Sequence, residues 1–426
     1  MIKIRKDELL FSNALYLMLN TIVTSLTGFV FWKVMTMFFS PEQVGIGSAL
    51  IAVSTFLASL ANMGFGVGIV RFIDAISKKK DLINSAIITV SLVSILYSII
   101  FISGLNIWSG NLSFLRNETW LIILFILFTL CLTMSNITDL AIIAGLSSKY
   151  LLAKNLLVCI LKIPLPIYLF SYLQGEGIYV SIGVAILSGE ILSIFYYMPK
   201  VYMNYRPQFK WRKDIILKVL PFSFGNYIAG TLNSAPGLIY PIMVVNLLKP
   251  EYSAFFYIAW MLTMVLTVVP SSMSQSLLAK SSKNTNCFRE DSWKVLGMSI
   301  VILIPAVVLM VLLAEWILSL FGTEYAKNGY SLVVILALSI IPQSINMLFT
   351  TINQIKKNTK MIIVHASLNS FLALMIAYYL MKEYGLIGIG IAYTITQYVV
   401  ALIFLIPLVL SIRIVRKDVC GAPNKN

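Results

Sequence analysis

The chain has 426 residues, 59% of them hydrophobic and only 12% charged, with a mean hydropathy of +0.89. That much apolar surface exceeds what a water-soluble core can hide, which excludes a soluble globular domain and predicts a polytopic, all-α membrane protein. The formal charge of +15 would suggest nucleic acid in a soluble chain. In a membrane protein, cytoplasmic loop lysines and arginines account for it, and no nucleic-acid partner is expected.

The first element is a hydrophobic hairpin over residues 11–72. Each arm exceeds the roughly 20 residues that cross a bilayer, and Ser40-Pro41-Glu42-Gln43 makes the turn. The first arm lacks a small-residue cleavage site and is expected to be a retained helix. In chain order the apolar runs predict helices at 12–39, 44–70, 82–107, 119–144, 151–173, 178–198, 215–246, 252–279, 293–319, 328–353, 359–381 and 386–412. They are continuous, whereas barrel strands would alternate in short segments.

Loop charges fix the orientation expected of these twelve spans. With a cytoplasmic amino terminus, one side collects Lys3, Arg5, Lys6, Arg71, Lys78–Lys80, Lys149 and Lys154. It continues with the 200–218 and 280–294 clusters, Lys356, Lys357, Lys360 and the basic tail. The opposite side receives Arg116, Lys249, Lys327 and Lys382. Both termini are therefore expected in the cytoplasm. The longest polar connection, 200–214, divides two predicted six-helix lobes, 1–205 and 206–426, the second with a short cytoplasmic tail. An internal repeat supports the lobes: a shift of about 207 aligns Gly183-Val184-Ala185 with Gly390-Ile391-Ala392, Lys149 with Lys356 and Tyr172 with Tyr379. Pro41-Glu42 falls near Pro250-Glu251, so the repeat is parallel.

Ionisable residues inside apolar runs are the candidate functional groups, because each is costly there unless it pairs, snorkels or faces water. Lys33 lies about 9 Å from the outer end of helix one at 1.5 Å per residue, and either snorkels to headgroups or lines a cavity. Lys162 falls near the centre of helix five, with Glu190 and Asp139 as expected partners; a structural ion pair and a cavity lining both fit. His365 is the sole histidine and reads as a packing group ahead of a proton relay. Asn13, Asn20, Asn136, Asn226, Asn233, Asn346, Asn353 and Gln397 either line a polar path or bond between helices. Pro236, Gly237 and Pro241 in helix seven remove two backbone donors and add a flexible residue, marking a candidate hinge. Cys131, Cys159, Cys287 and Cys420 have no metal-type spacing, so neither metal nor disulfide is expected. There is no phosphate loop and no nucleophile–base pair, so no catalysis or cofactor is expected.

FFSPEQVGIGSAL, LANMGFGVGIVRF, LSLFGTEYA and EYGLIGIGIAYTITQ, in this order and spacing, resemble lipid-linked oligosaccharide flippases. These form the polysaccharide-export branch of the multidrug/oligosaccharidyl-lipid/polysaccharide exporter superfamily. The resemblance implies two lobes around a central cavity. It also implies a polyprenyl-diphosphate-linked glycan as cargo, moved from the cytoplasmic to the outer leaflet of the cell membrane for surface-polysaccharide (O-antigen) assembly. Partners implied are membrane lipids and glycan polymerases or glycosyltransferases. On this reading Lys33 and Lys162 attract the diphosphate while Asp139 and Glu190 hold Lys162. In the repeat register Asp139, Lys162 and Glu190 fall on neutral Asn346, Asn369 and Gln397. Two other functions fit the composition: a cation-coupled multidrug exporter of the same superfamily, and a non-transporting scaffold of a glycan assembly complex. The first typically carries an acid in helix one, where this chain has Lys33.

Overall fold

The computed structural model describes residues 2–414 except 77, 117, 174, 204 and 284–287. Its described side chains exclude those of 2–11, 170–172, 222, 223, 226, 279, 282, 283, 413 and 414. Among the described residues, none is in a strand and twelve helices are long and apolar enough to cross a membrane. They are α1 (Ser12–Phe38), α2 (Pro41–Ala61), α3 (Lys79–Ser103), α4 (Thr119–Ala144), α5 (Ser148–Leu169) and α6 (Glu176–Val201). The second six are α7 (Tyr227–Leu247), α8 (Pro250–Leu278), α9 (Phe288–Ser319), α10 (Thr323–Ile355), α11 (Thr359–Tyr384) and α12 (Leu386–Ile412). The chain is a multi-pass membrane protein.

Four spans depart from the continuous helices expected. The run read as one helix over 44–70 stops at Ala61, because Met63 (φ +46°) and Gly64 (φ +77°) turn left-handed before a short helix, Phe65–Phe72. The α5 helix is interrupted at Ile163, where Pro164 and Pro166 withdraw backbone donors. A π-helical slip covers Ser193–Tyr197 in α6, and a 3₁₀ turn covers Val265–Thr267 in α8. By contrast, the helix containing α7 runs unbroken from Lys213 to Leu247, through Pro236, Gly237 and Pro241.

The described contacts divide the chain into two compact units. One comprises residues up to Thr231 together with Lys249–Ala254; the other comprises Leu232–Leu248 and residues from Phe255 onward. The exchange from one to the other occurs inside the α7 helix.

In the first unit, α2 opens with a reciprocal cap. Ser40 Oγ accepts from the Gln43 amide (3.3 Å), Gln43 Oε1 accepts from the Ser40 amide (3.1 Å), and Pro41 occupies the first turn where its missing N–H costs nothing. The α2 helix then packs on α4 and α6. Tyr179 ties the three together: its hydroxyl meets Ser54 Oγ at 2.7 Å, and its ring lies 5.6 Å from Phe128 and 6.2 Å from Phe125. Gly45 sits directly on the backbone carbonyl of Pro250, where a Cβ would overlap it.

Residues 205–212 are bound to α3 as a non-helical strap. Tyr205 is buried and donates to Asn84 Oδ1 (2.8 Å), Trp211 Nε1 donates to Thr89 Oγ1 (3.0 Å), and Ser85 Oγ accepts from the Arg212 amide (3.0 Å). Asp81 receives Lys210 at 3.2 Å and Arg212 at 3.7 Å. Arg212 also forks onto Asp214 at 3.0 and 3.1 Å, which holds that carboxyl below its ordinary range.

In the second unit, α10 is the most buried span and packs against α9 and α12, with α11 against α12. Tyr240, Phe256, Trp260 and Tyr393 form an aromatic cluster joining α7, α8 and α12, with ring centroids 5.0–6.3 Å apart. Gly237 lets Trp260 approach: a Cβ there would meet its indole at 3.2 Å.

Candidate functional site

Two polar centres lie within the apolar spans, one in each unit. In the first unit, α4 descends to a tight turn at 145–147 and α5 returns from it. Residues equidistant from such a turn meet across an antiparallel pair. Asp139 and Lys154, each seven residues from Leu146–Ser147, therefore form an ion pair. Lys154 Nζ also donates to Ser135 Oγ (2.7 Å), and its side chain is only 3% exposed. From α6, buried Glu190 accepts from Thr138 Oγ1 at 3.0 Å with one carboxylate oxygen, while its other oxygen is buried without a partner. Gly189, beside it, leaves the space through which the Lys154 stem passes: a Cβ there would meet Lys154 Cγ at 3.4 Å.

Sequence reasoning missed Lys154, which was counted with the cytoplasmic loop charges and assigned no role. The signal was available in its symmetry with Asp139 about the turn. The geometry corrects the expected partnership: Asp139 pairs with Lys154, whereas the Lys162 ammonium lies 5.7 Å over the Phe31 ring on α1. The α1 and α5 helices pack side by side in register. Asn13 Oδ1 accepts from the Ser148 amide (2.9 Å), and Asn155 Nδ2 donates to Asn20 Oδ1 (2.8 Å). These contacts advance by seven residues on both helices, so α1 and α5 run parallel and the next step carries α5 to Lys162. Lys162 is thereby level with Thr27, near the middle of α1, and its ammonium reaches the Phe31 ring one turn further along the helix that also carries Lys33. Both lysines are partly buried.

In the second unit the polar centre is uncharged. Asn346 Nδ2 donates to the Gln397 backbone carbonyl (3.1 Å) and to Gln397 Oε1 (2.8 Å), and Gln397 Nε2 donates to Asn369 Oδ1 (3.0 Å). His365 Nε2 faces Asn346 Oδ1 at 3.3 Å, and its ring makes a three-ring cluster with Phe349 (5.2 Å) and Phe404 (5.0 Å), which are 4.8 Å from each other. Thus α10, α11 and α12 are joined by amides. Asp139 and Glu190 on α4 and α6, shifted by 207, coincide with Asn346 and Gln397 on α10 and α12. A cavity of about 300 Å³ opens beside this network.

The remaining polar candidates divide between packing and exposure. Asn353 bonds back to Phe349 O (2.9 Å) within its own helix; Asn136 and Asn233 are exposed. The Asn226 and Tyr172 side chains lie outside the described residues, as do Cys287, Cys420 and the basic tail. Among the described residues no group of three or more His, Cys, Asp or Glu could hold a metal, and Cys131 and Cys159 are buried thiols.

Comparison with solved structures finds the same fold in two kinds of transporter. The chain superposes on the lipid II flippase MurJ in an inward closed conformation with a TM-score of 0.76 and 16% identity, covering 94% of this chain and 89% of that one. An inward-facing multidrug resistance MATE family transporter of the MOP superfamily matches with a TM-score of 0.69 and 15% identity, covering 92% and 94%. Among curated proteins, the Shigella flexneri "Putative O-antigen transporter" is 23% identical over 181 residues, which is 41% of this chain. The matched stretch spans 43% of that relative's length. The model of one family, described as polysaccharide biosynthesis protein, matches residues 10–278. That match covers more than half of the chain, taking in the first unit from residue 10 onward and the start of the second, and the chain therefore belongs to the polysaccharide biosynthesis protein family.

Proposed function

We propose that this chain is a flippase that carries a polyprenyl-diphosphate-linked oligosaccharide from the cytoplasmic to the outer leaflet. The observation that carries the reading is the pairing of family membership with intramembrane cations on neighbouring helices, Lys33 on α1 and Lys162 on α5. A diphosphate crossing hydrocarbon needs fixed positive charge along a hydrated path, while a lipid tail can stay in the bilayer. The α1 span contains no Asp or Glu, and this disfavours a cation-coupled multidrug exporter. Transport of this kind breaks and forms no covalent bond, so the chain acts without catalysis. On this reading the protein sits in the cytoplasmic membrane with both termini inside. Glycosyltransferases supply its cargo and a glycan polymerase consumes it. Lys154, compensated by Asp139 and Glu190, holds α4, α5 and α6 together. Pro236, Gly237 and Pro241 give α7 a point at which to bend between access states.

Reconstitution tests the reading. Purified protein in vesicles containing a fluorescent lipid-linked oligosaccharide should expose the probe to an external quencher. Lys33→Ala and Lys162→Ala should abolish this while leaving the folded protein in the membrane. Flipping at the wild-type rate by both variants would remove the cation assignment, and a wild-type protein with no flipping above empty vesicles would remove the function.

A further inference from the structure

The 300 Å³ cavity of the second unit lies inside apolar spans, yet among the described residues Leu278 and Met347 are its only aliphatic lining residues, and no described Lys, Arg, Asp or Glu lines it. Uncharged polar side chains dominate instead, contributed by α7, α8, α10, α11 and α12. Each is costly inside a bilayer, and interhelical bonding uses only some of them.

Two of the lining residues carry a buried side-chain atom without a partner: Oε1 of Gln343 and Nδ1 of His365. Their hydrogen-bonding character can be fixed. Asn346 Nδ2 donates to the Gln397 backbone carbonyl, which can only accept, so the Asn346 atom facing His365 is its acceptor oxygen. His365 Nε2 therefore carries the hydrogen, and Nδ1 of the neutral ring is an acceptor. His365 is 3% exposed. The cavity wall thus contains two residues with orphan acceptors, with hydroxyls and amides around them, and an occupant that reaches them must bring donors.

A diphosphate does not fit, since it brings only acceptors and meets no cation here. A metal ion or an ammonium does not fit either, because no carboxylate is present to compensate its charge. Sugar hydroxyls fit: each is both donor and acceptor, and neutral amide and hydroxyl side chains are their natural complement. The volume falls at the low end of small-molecule pockets, about right for one or two sugar rings.

We infer that this cavity is a saccharide subsite, which binds neutral sugars of the cargo through Gln343 and His365. The inference rests on the flippase reading and adds to it where the glycan is held.

Binding to protein in nanodiscs tests it with two probes: polyprenyl diphosphate carrying the native oligosaccharide, extracted from membranes of the source cells, and polyprenyl diphosphate without sugar. Wild type should bind the glycosylated lipid more tightly. Gln343→Met and, as an independent second variant, Thr350→Val should weaken that binding by several-fold to about tenfold per lost hydrogen bond. Both should leave the bare-lipid affinity in place and elute as wild type does. Equal wild-type affinity for the two lipids would overturn the subsite and leave the flippase reading standing. Equal loss of both lipids in the variants would also overturn it, by showing a structural role. Wild type that binds neither lipid would take down the flippase reading and the subsite with it.

Discussion

The Lys154 centre makes an asymmetric prediction. Lys154 is buried and faces two carboxylates, Asp139 in direct contact and Glu190 on the adjoining helix. Lys154→Met would leave both acids without that cation in a site where Glu190 is 3% exposed and has one oxygen already unpartnered. Removing one side of a buried pair costs about 3–5 kcal/mol, and this variant should lie in that range. Asp139→Asn is different: its side chain is 26% exposed, and Lys154 keeps Ser135 at 2.7 Å and Glu190 as counter-charge. The cost should fall to about 1–3 kcal/mol, that of a lost charged hydrogen bond. The double variant should cost less than the two singles added, by about 0.5–3 kcal/mol of coupling. Unfolding by SDS titration in mixed micelles, followed by tryptophan fluorescence, measures all four corners of the cycle. Equal costs for the singles, additive to within about 0.5 kcal/mol, would show that Lys154 does not serve both acids.

Gly45→Ala should destabilise by about 1–3 kcal/mol in the same titration, because its Cβ would meet the Pro250 backbone carbonyl, which cannot swing aside as a side chain can. A stability equal to wild type would refute the contact. For topology, thiol reagents applied outside cells should label Glu118→Cys and not Gln208→Cys, both exposed positions; the reverse pattern would invert the assigned orientation. Ser109 and Gly175, which also lie between predicted spans, are buried and would not report. Glu190→Gln should be tolerated, since an amide still accepts from Thr138. Gln397→Glu should cost about 3–5 kcal/mol, because it introduces a carboxylate among amides that contain no cation. Protein yield and melting temperature separate the two, and a Gln397→Glu variant as stable as wild type would refute the account of the second centre.

What the sequence made legible follows from what each signal depends on. Twelve spans were readable because hydropathy integrates over many residues and tolerates errors at the ends. Breaks were not, because they depend on one or two residues. Met63 takes a left-handed φ that its side chain does not advertise, and Pro164 interrupts α5 whereas Pro236 and Pro241 leave α7 helical. Proline thus marks a site where a helix can break without deciding that it does; tertiary packing decides. Asp139 and Glu190 were visible as isolated charges in apolar runs. Lys154 was hidden because it lies close enough to a basic turn to pass for a loop residue. Depth along one helix is a poor guide to burial when the neighbouring helix is what covers the side chain.

The 207-residue register explains why both centres exist. A helix pair in lipid gains nothing from apolar burial that lipid does not already give, so interhelical polar bonds and close packing must fix its register. Thr138 with Glu190 does this for α4 and α6, and Asn346 with Gln397 does it for the equivalent α10 and α12. The structural requirement is satisfied equally by carboxylates or amides, as the second unit demonstrates. Charge in the first unit is therefore surplus to holding that pair together, and it carries the added cost of Lys154, whose burial must be compensated. Through this charge the first unit draws in a third helix: Lys154 of α5 is drawn to Asp139 of α4 beside Glu190 of α6. In the proposed flippase this centre is structural, the diphosphate being left to Lys33 and Lys162 and the sugars to the neutral amides and hydroxyls of the second unit.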